Sequence, residues 1–329
     1  MRPLIAAVGT RGDVQPALAL ALALRKHGYA VRLCISPNFV DWATRLGLDA
    51  VPMGVEMRAP AQRFGAPPKL TEAELRRLRE SMPDLITDQF DTIGSVVDGC
   101  DVIVGANAHQ YAAPSIAERA GIGCVTAVYA PVALQSPDLA PAPPQGQSAG
   151  TAVSASIEEQ WNAVRQVWND RALERVNANR ARLSMAPIDD VLEYVLTDHT
   201  WLAADETLAP APATQGQQVY QTGAWLLDDE TPLPIDIVEY LDRGDQPILV
   251  GFGSMPAAGD VSRSLIDAAR ALGRRILVAR GWAELDLVDA PDCLAIGEVN
   301  YRRLLPQVAA IVHHGGAGTT TAAARAGVP

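Results

Sequence analysis

Cysteine is scarce in this 329-residue chain, and its four copies, Cys34, Cys100, Cys124 and Cys293, stand far apart. Without paired spacing they exclude a zinc site and a disulfide framework as the basis of the fold. Long hydrophobic runs are also missing. No stretch approaches the ~18 uninterrupted apolar residues of a membrane-crossing helix. The N-terminal run of residues 3–8 meets Arg11 and Asp13 before it reaches the length of a secretory core. A cytoplasmic location is therefore expected. Positive charge is in deficit too: 27 Lys and Arg stand against 38 Asp and Glu, a net charge of −11. That balance argues against nucleic acid or an anionic membrane surface as the main partner.

What is present is an ordinary globular composition, 48% apolar and 20% charged, with enough length for two cores. Short apolar runs alternate with helical patterns. Strands are predicted over residues 4–8, 30–35, 49–53, 101–105 and 123–129. Helices are predicted over 14–27, 39–46, 72–97 (broken near Pro83) and 112–120. Residues 54–70 and 131–150 read as long loops. Residues 157–183 read as a long helix with Trp161 and Trp168 seven apart on one face. A Pro-rich, apolar-poor stretch follows, and the rhythm then restarts. Helices are predicted over 235–241, 261–272, 301–305 and 319–326, and strands over 248–251, 275–279, 293–296 and 308–313. This is an α/β pattern of two doubly wound, Rossmann-like domains, with ligands expected at the carboxyl ends of the strands in a cleft between them. The expected division is residues 1–222 as the first domain, 223–234 as linker and 235–329 as a partial second domain.

The stretch His313-His314-Gly315-Gly316-Ala317-Gly318-Thr319-Thr320 carries the most chemistry. A Gly-rich turn between a strand and a helix offers unpaired N–H groups and the positive end of a helix dipole, which suits a phosphate or diphosphate. Thr319 adds a hydroxyl. A plain tight turn would account for the glycines but not for the two histidines. These adjacent residues point to opposite faces of an extended strand, so only one can face an anion.

After the first strand comes Gly9-Thr10-Arg11-Gly12-Asp13-Val14-Gln15-Pro16. Asp13 is either an N-cap of the first helix, with Pro16 tolerated in its opening turn, or a general base at the strand's carboxyl end. Capping weakens a carboxylate as a base, which still suits a hydroxyl whose proton leaves late, as an oxocarbenium-like centre forms opposite it. Ser254, in the turn Gly251-Phe252-Gly253-Ser254, is a candidate phosphate donor, with a plain Gly-rich turn as the equal alternative. Arg280-Gly281-Trp282 and Gly297-Glu298-Val299-Asn300 follow the next two strands, where a nucleobase could lie. Trp282 as a packing residue is the plain alternative. His27, His109 and His199 stand alone and read as surface or structural residues.

Taken in order, these motifs, with Thr222-Gly223-Ala224-Trp225, closely resemble the actinobacterial glycosyltransferases of natural-product assembly, especially those acting on vancomycin-type glycopeptide antibiotics. The likeness spans essentially the whole chain. It implies a GT-B fold and metal-independent, inverting transfer of a sugar from a dTDP- or UDP-sugar, with no cofactor besides that co-substrate. It makes Asp13 the base, with Thr10 beside it. It places His313 on the donor diphosphate with the backbone of Gly315, Gly316, Ala317, Gly318 and Thr319, and Ser254, Arg280, Trp282 and Val299 around the donor. In that family the C-terminal domain continues past the point where this sequence stops, with an acidic residue followed by Gln that holds the donor sugar and a helix that crosses back. An incomplete C-terminal domain is therefore expected, with the strand over 308–313 at a sheet edge.

The acceptor is expected to be a peptide-type or other natural-product aglycone, met by the loops over 54–70 and 131–150, with Met57 and Phe64 among the contacts. Sterol and glycolipid glycosyltransferases share the first and last motifs. A nucleotide-sugar epimerase would need no large acceptor surface, and a non-catalytic nucleotide-sugar-binding protein would bind nucleotide without any transfer.

Overall fold

A computed structural model describes residues 1–56, 84–107, 109–142, 155–214, 216–254, 261–282 and 290–329. Met57 and Phe64 lie outside the described residues, as do parts of the two long loops. The described chain divides into two compact units, one of residues 1–55 and 84–227 and the other of Glu56 with residues 228–329.

The first unit runs β1 (Pro3–Ala7), α1 (Arg11–Lys26), β2 (Arg32–Ile35), α2 (Val40–Arg45), β3 (Asp49–Pro52), α3 (Leu85–Val96), β4 (Val102–Ala106), α4 (Ala113–Ala120), β5 (Gly123–Val128), α5 (Ile157–Arg182), α6 (Val191–Val195), β6 (His199–Leu202) and β7 (Gln218–Gln221). Its strands form one sheet in the order β3-β2-β1-β4-β5-β6-β7, and every pairing is parallel. Burial on both faces of such a sheet explains why β1 reads as an unbroken apolar run, PLIAA, buried throughout. Leu4, Ala6, Cys34 and Ile103 pack with Ile86, Phe90 and Ile93 of α3, Ile116 of α4, and Ala172 and Val176 of α5. Trp161 and Trp168 turn to a shared side of α5. Trp161 is buried with Leu134, Leu192, Leu196 and Leu202, and Trp168 packs against the same cluster.

The sequence pattern misses β6 and β7. Each spans four residues, and the polar side chains in HTWL and QVYQ hide the strand signal. Their existence is decided by pairing to β5, where Thr126, Ala127 and Val128 meet Thr200, Trp201 and Leu202.

The second unit runs α7 (Ile235–Asp242), β8 (Ile248–Gly251), α8 (Val261–Ala271), β9 (Ile276–Ala279), β10 (Cys293–Ile296), α9 (Tyr301–Leu304), β11 (Ala310–His313) and α10 (Ala317–Ala326). Its sheet has the order β10-β9-β8-β11, again wholly parallel. Side chains alternate between its faces. Leu249 and Leu277 meet Ile237, Tyr240 and Leu304 on one side, while Val250 and Val278 meet Ile266 and Ala269 of α8 on the other. β11 lies at the edge of this sheet, and its Ile311 N–H donates to the carbonyl of Pro329 at 2.9 Å.

The order 3-2-1-4 recurs in both sheets. The chain goes out from the first strand of each unit in one direction, then returns to its other side. This reversal opens a crevice beyond the carboxyl ends of β1 and β4 in the first unit, and of β8 and β11 in the second.

Candidate active site

At the first crevice, the chain leaves β1 through Gly9, which has φ +146° and is held from both sides by the buried Ser36 at the end of β2. Gly9 N–H donates to Ser36 Oγ at 2.8 Å, and that hydroxyl donates back to Gly9 O at 3.0 Å. Helix α1 starts three residues earlier than the pattern suggests, with Thr10 as its N-cap. This corrects the reading of Asp13 as a cap: it is the third residue of the helix. Its carboxylate turns back to accept from Thr10 N–H at 2.7 Å and from Thr10 Oγ1 at 3.2 Å, both on Oδ2, which is the reciprocal half of a capping box. Pro16 consequently falls beyond the opening turn, where its ring removes a helical donor toward Gly12 O.

The other carboxylate oxygen, Oδ1, accepts from Asn107 Nδ2 at 2.8 Å. Asn107 is the residue after β4, so the two strands flanking the crevice each deliver one group to this contact. Tyr129, just past β5, donates its hydroxyl to Asp13 O at 3.0 Å. Loss of water around that hydroxyl, with the Asp13 charge adding to it, holds the phenol well above its ordinary range, so it serves as a neutral donor. Tyr129 also meets Trp225 edge-on, and Trp225 meets Trp201 in the same way, at 6.1 Å in each case. The indole N–H of Trp225 donates to Thr222 Oγ1 at 3.0 Å, which gives the Thr222–Trp225 motif a local structural role.

His109, which the sequence marks as surface or structural, belongs to this neighbourhood. Its ring stacks on Trp168 at 5.2 Å and 15° and stands edge-on to Tyr111. The residue as a whole keeps an exposed side, so the lost hydration belongs to the stacked part of the ring. That loss lowers its pKa, opposed by the charge of Asp13 and reinforced by Arg171. A single-sequence reading had no means of finding this, because Trp168 lies on α5, far along the chain.

At the second crevice, the turns after β9, β8 and β11 interlock. Gly253, in the turn after β8, has φ +59°, and its carbonyl accepts from Trp282 N–H at 3.0 Å. Gly281 has φ +55°, and a Cβ there would lie 2.0 Å from Gly253 O, so no side chain fits. On the opposite side, His314 Cε1 lies 3.4 Å from where a Gly253 Cβ would be, and its Nε2 lies 2.7 Å from a Cβ built on Gly316. His314 thus wedges between the two turns. Partial desolvation lowers its pKa, with His313 adding to the effect.

His313 ends β11, and its Nδ1 accepts from Gly315 N–H at 3.1 Å. That bond leaves Nε2 to carry the ring proton. Gly316 is the N-cap of α10, and Thr320 N–H is bonded to Gly316 O at 3.0 Å. The amides of Ala317, Gly318 and Thr319 precede it in the first turn, where helix geometry provides no carbonyl acceptor. The hydroxyls of Thr320 and Thr321 are turned back onto Gly316 O and Ala317 O.

The remaining residues expected around the donor are differently disposed. Ser254 is partly buried in the β8 turn, and Arg280 is exposed while its N–H donates to Ile296 O at 3.1 Å. Trp282 is only 7% exposed, and Val299 packs against the core of its unit. Asn300 donates from Nδ2 to Asp229 O at 2.7 Å and Thr231 O at 3.0 Å, tying the start of the second unit to α9.

Among the described residues no cluster of His, Cys, Asp and Glu is arranged to hold a metal ion. No described helix is long and apolar enough to cross a membrane.

Residues 4–136 match the glycosyltransferase family 28 N-terminal domain, and residues 263–329 match the erythromycin biosynthesis protein CIII-like C-terminal domain. The vancomycin aglycone glucosyltransferase of Amycolatopsis orientalis is 42% identical over 100% of this chain and 79% of its own length. The dTDP-epi-vancosaminyltransferase of the same organism is 38% identical over 100% of this chain and 78% of its own. Among solved structures, the glycosyltransferase VinC in complex with dTDP superposes with a TM-score of 0.60 at 22% identity, covering 100% of this chain and 80% of that one. The chain is therefore a glycosyltransferase of the GT-B fold, and it belongs to the family of the Amycolatopsis vancomycin-type glycosyltransferases.

Proposed function

We propose that the protein transfers a sugar, with inversion, from a dTDP- or UDP-sugar to a hydroxyl of a glycopeptide-antibiotic aglycone or a related natural product. The observation that carries this reading is the carboxylate of Asp13 at one strand-order reversal and the Gly-rich turn onto α10 at the other. The relatives' names, one a glucosyltransferase acting on vancomycin aglycone and one using a dTDP-sugar, support the donor and acceptor classes. The activity fits a cytoplasmic enzyme with no cofactor besides the nucleotide-sugar.

In this mechanism Asp13 removes the proton from the acceptor hydroxyl as its oxygen attacks the anomeric carbon. The bond from that carbon to the donor phosphate breaks in the same displacement, which inverts the configuration. The departing diphosphate takes up negative charge, met by the amides of Ala317, Gly318 and Thr319, the positive end of α10 and a hydrogen bond from His313 Nε2. Thr10 contributes by fixing Asp13 Oδ2. Ser254 adds a donor to the phosphates, and Arg280, Trp282 and Val299 border the nucleoside. Residues 1–222 serve the acceptor and residues 235–329 the donor, with 223–234 joining them. Met57 and Phe64 are assigned to the acceptor side.

Mass spectrometry of products from a panel of aglycones and nucleotide-sugars tests this directly. A glycosylated aglycone is expected. A sugar epimerised without any acceptor would replace the reading with an isomerase, and nucleotide binding without turnover would leave a binding protein.

A further inference from the structure

We propose that Asn107 is a positioning residue for Asp13, fixing the carboxylate so that Oδ1 is the oxygen that receives the acceptor's proton. The inference rests on Asp13 being the base.

Asn107 is buried and has φ +74°, a conformation that asparagine adopts more readily than other side chains bearing a Cβ. Its backbone N–H donates to Ala127 O on β5 at 2.8 Å. Its side-chain amide is fully engaged. Nδ2 donates to Asp13 Oδ1 at 2.8 Å and to Val8 O at 3.2 Å, while Oδ1 accepts from His109 N–H at 2.9 Å and from Gln110 Nε2 at 3.3 Å. Reversing the amide would set oxygen against oxygen at Val8 and Asp13, and N–H against N–H at His109, so its orientation is determined.

The consequence lies at Asp13. Oδ2 already accepts two hydrogen bonds, both from Thr10. Among the described residues Oδ1 accepts one, from Asn107. A carboxylate oxygen has about two lone-pair sites, so among the described residues the open one belongs to Oδ1. The bonds from Thr10 and Asn107 pin opposite ends of the carboxylate and prevent its rotation. Among the described residues, His109, beyond β4, and Tyr129, beyond β5, feel the Asp13 charge. Arg11 on α1 is directed to Gln15 and the Trp42 ring.

Two variants separate positioning from folding. Asn107→Gly keeps the backbone at positive φ and removes only the amide. It is expected to lower kcat about 10²-fold, with nucleotide affinity unchanged. In an Asp13→Ala background the same substitution should cost nothing further, because the two residues act as a unit. Asn107→Asp sets a second carboxylate against the first and should move the carbon-13 NMR titration of the residue-13 carboxyl upward, a readout independent of turnover. Full activity in Asn107→Gly, an undiminished further loss in the Asp13→Ala background, or an unmoved titration would overturn the proposal. An active Asp13→Ala enzyme together with a moved titration would instead remove the base assignment and leave the contact between the two side chains standing.

Discussion

Replacing Gly9 by alanine gives a sharp test of how the first crevice is built. A Cβ at Gly9 would lie 2.1 Å from Asp13 Oδ2 and 2.5 Å from its Cγ. The carboxylate has to leave, and with it go the bonds from Thr10 N–H, Thr10 Oγ1 and Asn107 Nδ2. The backbone at φ +146° adds strain for any L side chain, about 1–3 kcal/mol. Charge-assisted bonds contribute about 1.5–3 kcal/mol each when well buried. This carboxylate is only partly buried, so displacing it adds roughly 2 kcal/mol in all rather than the full sum. Gly9→Ala is therefore expected to cost about 3–5 kcal/mol.

In an Asp13→Ala background the clash partner is gone, and only the backbone strain of about 1–3 kcal/mol remains. The double variant should therefore be about 2 kcal/mol more stable than the sum of the single effects. Urea unfolding midpoints at constant slope measure this. Additivity within about 0.5 kcal/mol would refute the geometric argument. So would a Gly9→Ala enzyme with unaltered kcat, since its carboxylate could not have moved.

Other expectations are more local. His313→Ala should weaken nucleoside diphosphate binding about tenfold, the effect of losing roughly 1.4 kcal/mol, and equal affinity by calorimetry would remove the contact. Gly281→Ala forces a Cβ within 2.0 Å of Gly253 O. It should destabilise the second unit by at least about 2 kcal/mol, and an unchanged melting profile would contradict the interlocked turns. For His109, the lowered pKa means that the unfolded chain binds a proton before the folded one does. Stability should thus fall as pH drops below about 6.5 and keep falling until the folded imidazole itself titrates. His109→Asn should flatten that dependence, and an NMR titration of His109 at or above about 6.5 would exclude it.

Much of the molecule was readable in one dimension because it depends on local patterning. β8 and β10 fall on the residues that periodicity marks, since buried parallel strands are short apolar runs bounded by turn residues. The helix starts were harder. α1 begins at Arg11 because Thr10 caps it, and a polar TRGD segment carries no apolar period to announce that turn. β6 and β7 lacked a signal altogether, being specified by a neighbouring strand rather than by their own residues.

The sequence by itself determined the two doubly wound halves and marked Asp13 and the His313–Thr319 turn, because glycine, helix-start and apolar-run signals act over a few residues. Only the tertiary structure decided that Asn107 meets Asp13, that His109 stacks on Trp168 and that His314 wedges against Gly253. Each of these contacts joins segments far apart in the chain, and their meeting is fixed by strand order in the sheet and by packing onto it, which no local pattern encodes.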